Sequence, residues 1–266
     1  MPNTKALRVR IKSVKSTEQL TKAMGLVASS KIRRANLAMY KAREYVASLE
    51  KSMSYLTSSP DVQKSPYMQN SNTGHTKIII IAGDRGLAGG YNANVFRLAK
   101  EFPNSEFIPI GKRACDFYAL PVVSSEKYTF DSAMALSREL CSEFYEGKLD
   151  RVGIIYTTYH SVLSQEAKIK WILPLAKGES TGNEGMIYEP DHLTVLNLVV
   201  SEYVAGMITS LVRESFACEV SARRMAMDSA GKNAKQMIND LSLEYNRARQ
   251  GAITQEITEI VAGAGE

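Results

Sequence analysis

The sequence predicts an α/β fold: two long terminal helices form an antiparallel coiled coil, and a Rossmann-like α/β domain is inserted between them. Three observations predict it. The stretch from Asn3 to Ser59 and the stretch after Pro190 are both free of proline, and both carry apolar residues at helical spacing. Between them, strand-length apolar runs alternate with amphipathic segments, the pattern of an α/β sheet. The two ends also carry opposite charge balances. Residues 1–57 hold twelve Lys/Arg against three Asp/Glu, and residues 200–266 hold seven against nine. Arms charged in this way attract when they lie side by side.

The amino arm, residues 1–59, is read as one helix with Gly25 as its only glycine. Ile32, Ala35, Met39, Ala42, Val46, Leu49, Met53 and Leu56 follow one another in alternating steps of three and four, a heptad seam. Small side chains at Ala35, Ala38 and Ala42 let a neighbouring backbone approach closely. An isolated helix of this kind is marginal in water, so the seam needs a partner.

Ser58-Ser59-Pro60, Pro66 and the polar run Gln69 to Gly74 read as a break and a loop. The inserted domain is placed at residues 75–175. Its first strand is Lys77 to Ala82, followed by the turn Gly83 to Gly90 and a helix over Asn92 to Glu101. Phe107 to Ile110 is a second strand, Arg113 to Ala119 a helix and Val122-Val123 a short third strand. Asp131, as N-cap, opens a helix to Tyr145. Strands over Arg151 to Thr157 and Ala167 to Leu173 complete a doubly wound sheet. Gly178 to Gly185 reads as a mobile loop before the last helix.

The carboxyl arm, residues 188–266, carries its seam through Leu193, Leu196, Val200, Val204, Met207 and Leu211, then Ala234, Ile238, Leu241, Tyr245, Ala248 and Ala252. A continuous helix over this arm spans roughly 110 Å, against a diameter of roughly 35–40 Å for a compact domain of about 125 residues. The helix is therefore expected to leave its own globular body. Its apolar tip, Ile253, Ile257, Ile260 and Val261, ends in Ala262-Gly263-Ala264-Gly265 with little charge, and reads as sheathed by an apolar surface from outside.

Several function classes find little support. Cys115, Cys141 and Cys218 stand in no paired spacing, which argues against a disulfide framework and a zinc site. No apolar run approaches the eighteen residues of a membrane span. The amino end lacks the apolar core of a secretory signal, and its unbroken helical pattern argues against a transit peptide. His75, His160 and His192 have no triad or ligand partners at useful spacing. The turn Gly83 to Gly90 invites a nucleotide-binding reading, but its spacing is not Gly-x-Gly-x-x-Gly and no Gly-Lys-Ser/Thr follows. A tight structural turn, with Asp84 and Arg85 pairing to nearby helix termini, is the alternative. Lys5, Arg8, Arg10, Lys12 and Lys15 are dense enough for a nucleic-acid arm, yet no aromatic residues interleave them.

Three stretches carry a family resemblance. They are Arg10 to Met24 continuing to Ser30-Lys31-Ile32-Arg33-Arg34-Ala35; Asp84-Arg85-Gly86-Leu87-Ala88-Gly89-Gly90-Tyr91-Asn92; and Tyr245-Asn246-Arg247-Ala248-Arg249-Gln250-Gly251-Ala252-Ile253-Thr254-Gln255-Glu256-Ile257. Together they resemble the gamma subunit of F-type ATP synthases, over nearly the whole chain. The resemblance implies a single-copy rotor shaft, without a catalytic site, cofactor or metal of its own, inside a ring of three alpha and three beta subunits. It further implies contacts with the epsilon subunit and the membrane c ring, and a peripheral place on the cytoplasmic face of a bacterial membrane or its organellar equivalent.

Carried over by motif, Lys22 and Met24 face beta-subunit loops, and Arg249, Gln250, Thr254 and Glu256 form a polar catch with them. Tyr188 and Glu189 match the region near the c ring and epsilon, and Asp84, Arg85, Gly86, Gly89 and Gly90 form a structural turn. Ala88 stands where the family often has cysteine, and the cysteine-bearing insertion of chloroplast versions is missing, so thiol control is not expected.

Overall fold

The structure is a computed structural model that describes residues 4–71, 73–178 and 188–263. Helix α1 runs over Thr4–Ser58 and is followed by two short 3-10 turns at Pro60–Lys64 and Pro66–Met68. Then come β1 (Thr76–Ile81), α2 (Tyr91–Ala99), β2 (Glu106–Ile110), α3 (Lys112–Tyr118), α4 (Phe130–Tyr145), β3 (Arg151–Tyr159), β4 (Gln165–Leu173) and α5 (His192–Gly263). The loop read from Gly178 to Gly185 lies outside the described residues except for Gly178, and so do Ala264 and Gly265.

The four strands form one sheet in the order β2-β1-β3-β4. β1 is parallel to both β2 and β3, and β4 is antiparallel to β3. The sheet is thus mixed: a tight hairpin adds β4, because five residues between β3 and β4 are too few for a crossover helix. Two local expectations need correction. Val122-Val123 is not a strand; the Val123 carbonyl instead accepts from Gly111 N at 2.9 Å and its amide donates to Cys115 Sγ. Helix α4 starts one residue earlier than expected and is capped by Thr129, whose side chain accepts from Ser132 N, rather than by Asp131.

The chain divides into two compact units, Met1–Ser29 with Arg223–Glu266, and Ser30–Ala222. The division cuts through both long helices. Within the first unit, Gly25 faces Met227 and Gly231 faces Thr21. Within the second, Gly206 faces Leu49 and Tyr45, and Arg43 pairs with Glu214. In each unit the numbers rise along one helix as they fall along the other, so the pairing is antiparallel.

The heptad seam of α1 is the buried face. Ile32, Ala35, Met39, Val46, Met53 and Leu56 are buried and Ala42 and Leu49 half-buried, while Ala38 lies outside the seam and is exposed. On α5 the predicted seam is buried or half-buried apart from Leu193, which is exposed. Between Val204 and Ser221 the burial extends almost all the way round. The sheet and α1 both pack there, so this part of α5 is a core element of the globular unit, where the spacing alone indicated a seam on one face. One window of α5 is apolar enough by composition to cross a membrane, but 56% of it is buried inside the protein, as expected of a core helix.

Candidate partner-binding surfaces

The residues assigned to beta-subunit contacts, the polar catch among them, all lie in the unit made of Met1–Ser29 and Arg223–Glu266. Lys22, Arg249, Gln250, Thr254 and Glu256 are exposed, and Met24 is half-buried. The Thr254 hydroxyl donates to the Gln250 carbonyl at 2.9 Å, one turn back, which fixes its rotamer. Lys22 lines a groove of about 410 Å³ between the helices, with Glu18, Gly25, Met227, Gly231 and Lys235. Two glycines facing across the pair leave this hollow, since neither fills the interhelical space.

The end of α5 is bare. Ile253, Ile257, Ile260 and Val261 are 46%, 56%, 70% and 67% exposed. Residues 253 to 263 continue as regular helix with every side chain exposed. Four β-branched apolar residues in water make a surface that soluble proteins normally cover.

Tyr188 and Glu189 belong to the other unit. Tyr188 is half-buried, with its ring 4.8 Å from that of His192, and Glu189 is exposed. Asp191 caps the start of α5, accepting from Thr194 N and Thr194 Oγ1.

The glycine-rich turn is held from beneath. The Asp84 carboxylate accepts from the amides of Lys112, Ser125 and Glu126 and from Ser124 Oγ. Partial burial works against the charged form, but these hydrogen bonds prevail and hold the carboxyl below its usual range. Asp84 thereby ties the turn after β1 to the amino end of α3. Gly89 has φ 58° and Leu87 φ 60°. A Cβ on Gly86 would stand 3.1 Å from the Arg113 guanidinium. Ala88 is buried, which suits a small side chain.

A nucleotide in an α/β sheet binds beyond the carboxyl ends of the strands, where the winding reverses. Here that point lies between β1 and β3, and α5 fills it. Pairing between β1 and β3 ends at Ile80 with Ile155, so the inner edge of β3 beyond it needs other partners. Ser215 Oγ accepts from Thr157 N at 3.1 Å, Glu214 Oε1 accepts from Tyr159 N at 2.9 Å, and Cys218 Sγ donates to the Thr157 carbonyl at 3.3 Å. Arg43 of α1 completes the arrangement, donating through Nη2 to Glu214 Oε1 at 2.7 Å and to the Tyr159 carbonyl at 3.0 Å. The hydrogen bond to Glu214 outweighs partial burial and raises the Arg43 pKa.

Sequence reasoning passed over Arg43, Glu214, Ser215 and Glu219. The signal available was two carboxylates, Glu214 and Glu219, inside the most apolar part of α5. Such residues are seldom fully buried unless partnered. Among the described residues no group of three or more His, Cys, Asp or Glu could hold a metal ion.

Fold and surfaces together define a class: a protein with a long helix at each end of the chain, paired antiparallel within each unit, and between them in sequence an α/β domain whose switch point is filled by α5. Residues 3–265 match the family described as ATP synthase. The chain is 37% identical to the ATP synthase gamma chain of Moorella thermoacetica and 36% identical to that of Geotalea daltonii. The first alignment covers 99% of both chains; the second covers 99% of this chain and 98% of the relative. The chain belongs to the ATP synthase gamma-chain family. The same fold occurs in a chain of the Euglena gracilis mitochondrial ATP synthase OSCP/F1/c-ring structure, at 18% identity and a TM-score of 0.69, covering 97% of this chain and 92% of that one. It occurs again in the central stalk/c-ring structure from Tetrahymena thermophila, at 21% identity and a TM-score of 0.60, covering 79% of this chain and 99% of that one.

Proposed function

We propose that this chain is the central rotor shaft of an F-type ATP synthase, present as one copy and non-catalytic itself, turning within three alpha and three beta subunits. The observation that carries the proposal is the bare apolar end of α5, with Ile260 and Val261 more than two-thirds exposed on intact helix. A surface of that kind needs a sleeve, and family membership supplies one in the alpha and beta ring.

In this reading residues 1–59 and 188–266 are the shaft and residues 75–175 the domain it carries. Lys22, Met24, Arg249, Gln250, Thr254 and Glu256 make contacts with beta loops that are formed and released as the shaft turns. Exposed guanidinium and amide groups suit that task, since they exchange water for carboxylate or hydroxyl partners at small net cost. Tyr188 and Glu189 lie on the part facing epsilon and the c ring. The assembled complex is peripheral, on the cytoplasmic face of a bacterial membrane or the organellar equivalent.

The test is an assembled complex carrying R249A and Q250A together. Coupled ATP synthesis falls while nucleotide binding to beta is retained. Unchanged coupling overturns the catch assignment, and failure of the wild-type chain to co-purify with alpha and beta overturns the shaft.

A further inference from the structure

Glu219 is 2% exposed on α5, and its carboxyl group lies under the glycine-rich turn. A Cβ built on Gly83 would stand 2.7 Å from Glu219 Cδ and 3.0 Å from Oε1. Gly83 is the first residue of the turn after β1, and it is itself buried. Its amide is used elsewhere, donating to Asn92 Oδ1 at 2.9 Å. Only a residue without a side chain lets the carboxylate come this close.

The turn leads directly into the amino end of α2, where Gly90 provides no side-chain cap and the aligned amides leave partial positive charge. Tyr91, the first residue of α2, is buried and donates its hydroxyl to the Ser215 carbonyl at 3.1 Å. Burial and, after it, the charge of Glu219 push the Tyr91 phenol well above its usual value, so the hydroxyl stays protonated.

A carboxylate therefore occupies the place where α/β proteins of this topology hold the anionic part of a ligand. We propose that the crevice beyond β1 is an anion pocket whose permanent occupant is the Glu219 carboxylate, so that the domain grips α5 as it would grip a ligand. Shortening Glu219 vacates the pocket for a small free carboxylate such as formate. This inference concerns the globular unit alone and stands or falls separately from the shaft.

The experiment is thermal unfolding of the full chain in sodium formate and in sodium chloride at equal ionic strength, for the wild type, E219Q and E219A. Formate raises the melting temperature of E219A saturably, by several degrees more than chloride, as expected when a ligand binds only the folded state. Wild type and E219Q, whose side chains fill the pocket, respond equally to both salts. A folded E219A that does not distinguish formate from chloride overturns the proposal.

A second comparison covers the case in which E219A is too unstable to purify. G83A alone forces a methyl group against the carboxyl carbon and lowers the melting temperature. In G83A/E219A the methyl enters the vacated space, so the double variant melts above G83A and is blind to formate. A double variant that melts below G83A shows that the two positions do not share the space, and the pocket assignment fails.

Discussion

Arg43 and Glu214 join the two long helices through a two-pronged contact, Nη2 to Oε1 at 2.7 Å and Nε to Oε2 at 3.3 Å. Glu214 is 5% exposed, and its Oε1 also receives the amide of Tyr159. One carboxylate thus fastens α1, α5 and the end of β3. The planar guanidinium fork matches a carboxylate in a way a lysine cannot. R43A leaves the carboxylate buried with the Tyr159 amide and costs about 1–3 kcal/mol, less than a fully buried pair because the guanidinium is partly exposed. R43K recovers only part of this. Thermal unfolding of the full chain reads both.

Acid should loosen the glycine-rich turn. The folded-state pKa of Asp84 is depressed from its usual 3.8, so its contribution is fully present above that value and is lost as pH falls below it. D84N removes the contribution at neutral pH and flattens the acid limb of the stability curve. Denaturant unfolding between pH 5 and pH 2 checks it, with wild type and variant converging at the acid end.

Two glycines with positive φ separate backbone strain from steric exclusion. Gly111 has φ 103°, and a Cβ there would meet the Ala82 carbonyl oxygen at 2.0 Å. Gly74 has φ 80° with nothing within 4 Å. G111A is expected to abolish stable folding, because the carbonyl belongs to the backbone and its neighbouring amide is bonded to Ile110. G74A costs only the conformational strain, about 1 kcal/mol. Soluble yield and melting temperature distinguish them.

The apolar seam and the apolar tip should behave oppositely. Met39 is fully buried in the seam, and M39A costs about 2–5 kcal/mol in the isolated chain. Ile253 and Ile257 are about half exposed, and I253S with I257S changes the isolated chain by no more than about 0.5 kcal/mol per site. The proposed shaft role expects the same pair to weaken assembly with alpha and beta, measured by co-purification on a native gel.

The sequence by itself determined the helical arms, their seams and the four strands of the sheet, but it also offered Val122-Val123, which is no strand. The three-and-four spacing from Ile32 to Leu56 follows from 3.6 residues per turn, and the short, β-branched run Ile78 to Ile81 before a glycine turn favours a buried strand over a helix. The three stretches Arg10 to Ala35, Asp84 to Asn92 and Tyr245 to Ile257 together pointed to the family. Tertiary structure alone decided what meets what. Spacing shows one face of a helix, whereas the burial of α5 almost all round from Val204 to Ser221 arises from elements far away in sequence, such as Tyr159 and Arg43, 55 and 171 residues from Glu214. The same holds for Glu219 against Gly83: a carboxylate in an apolar run signals that a partner is needed, but only the fold brings the partner to it.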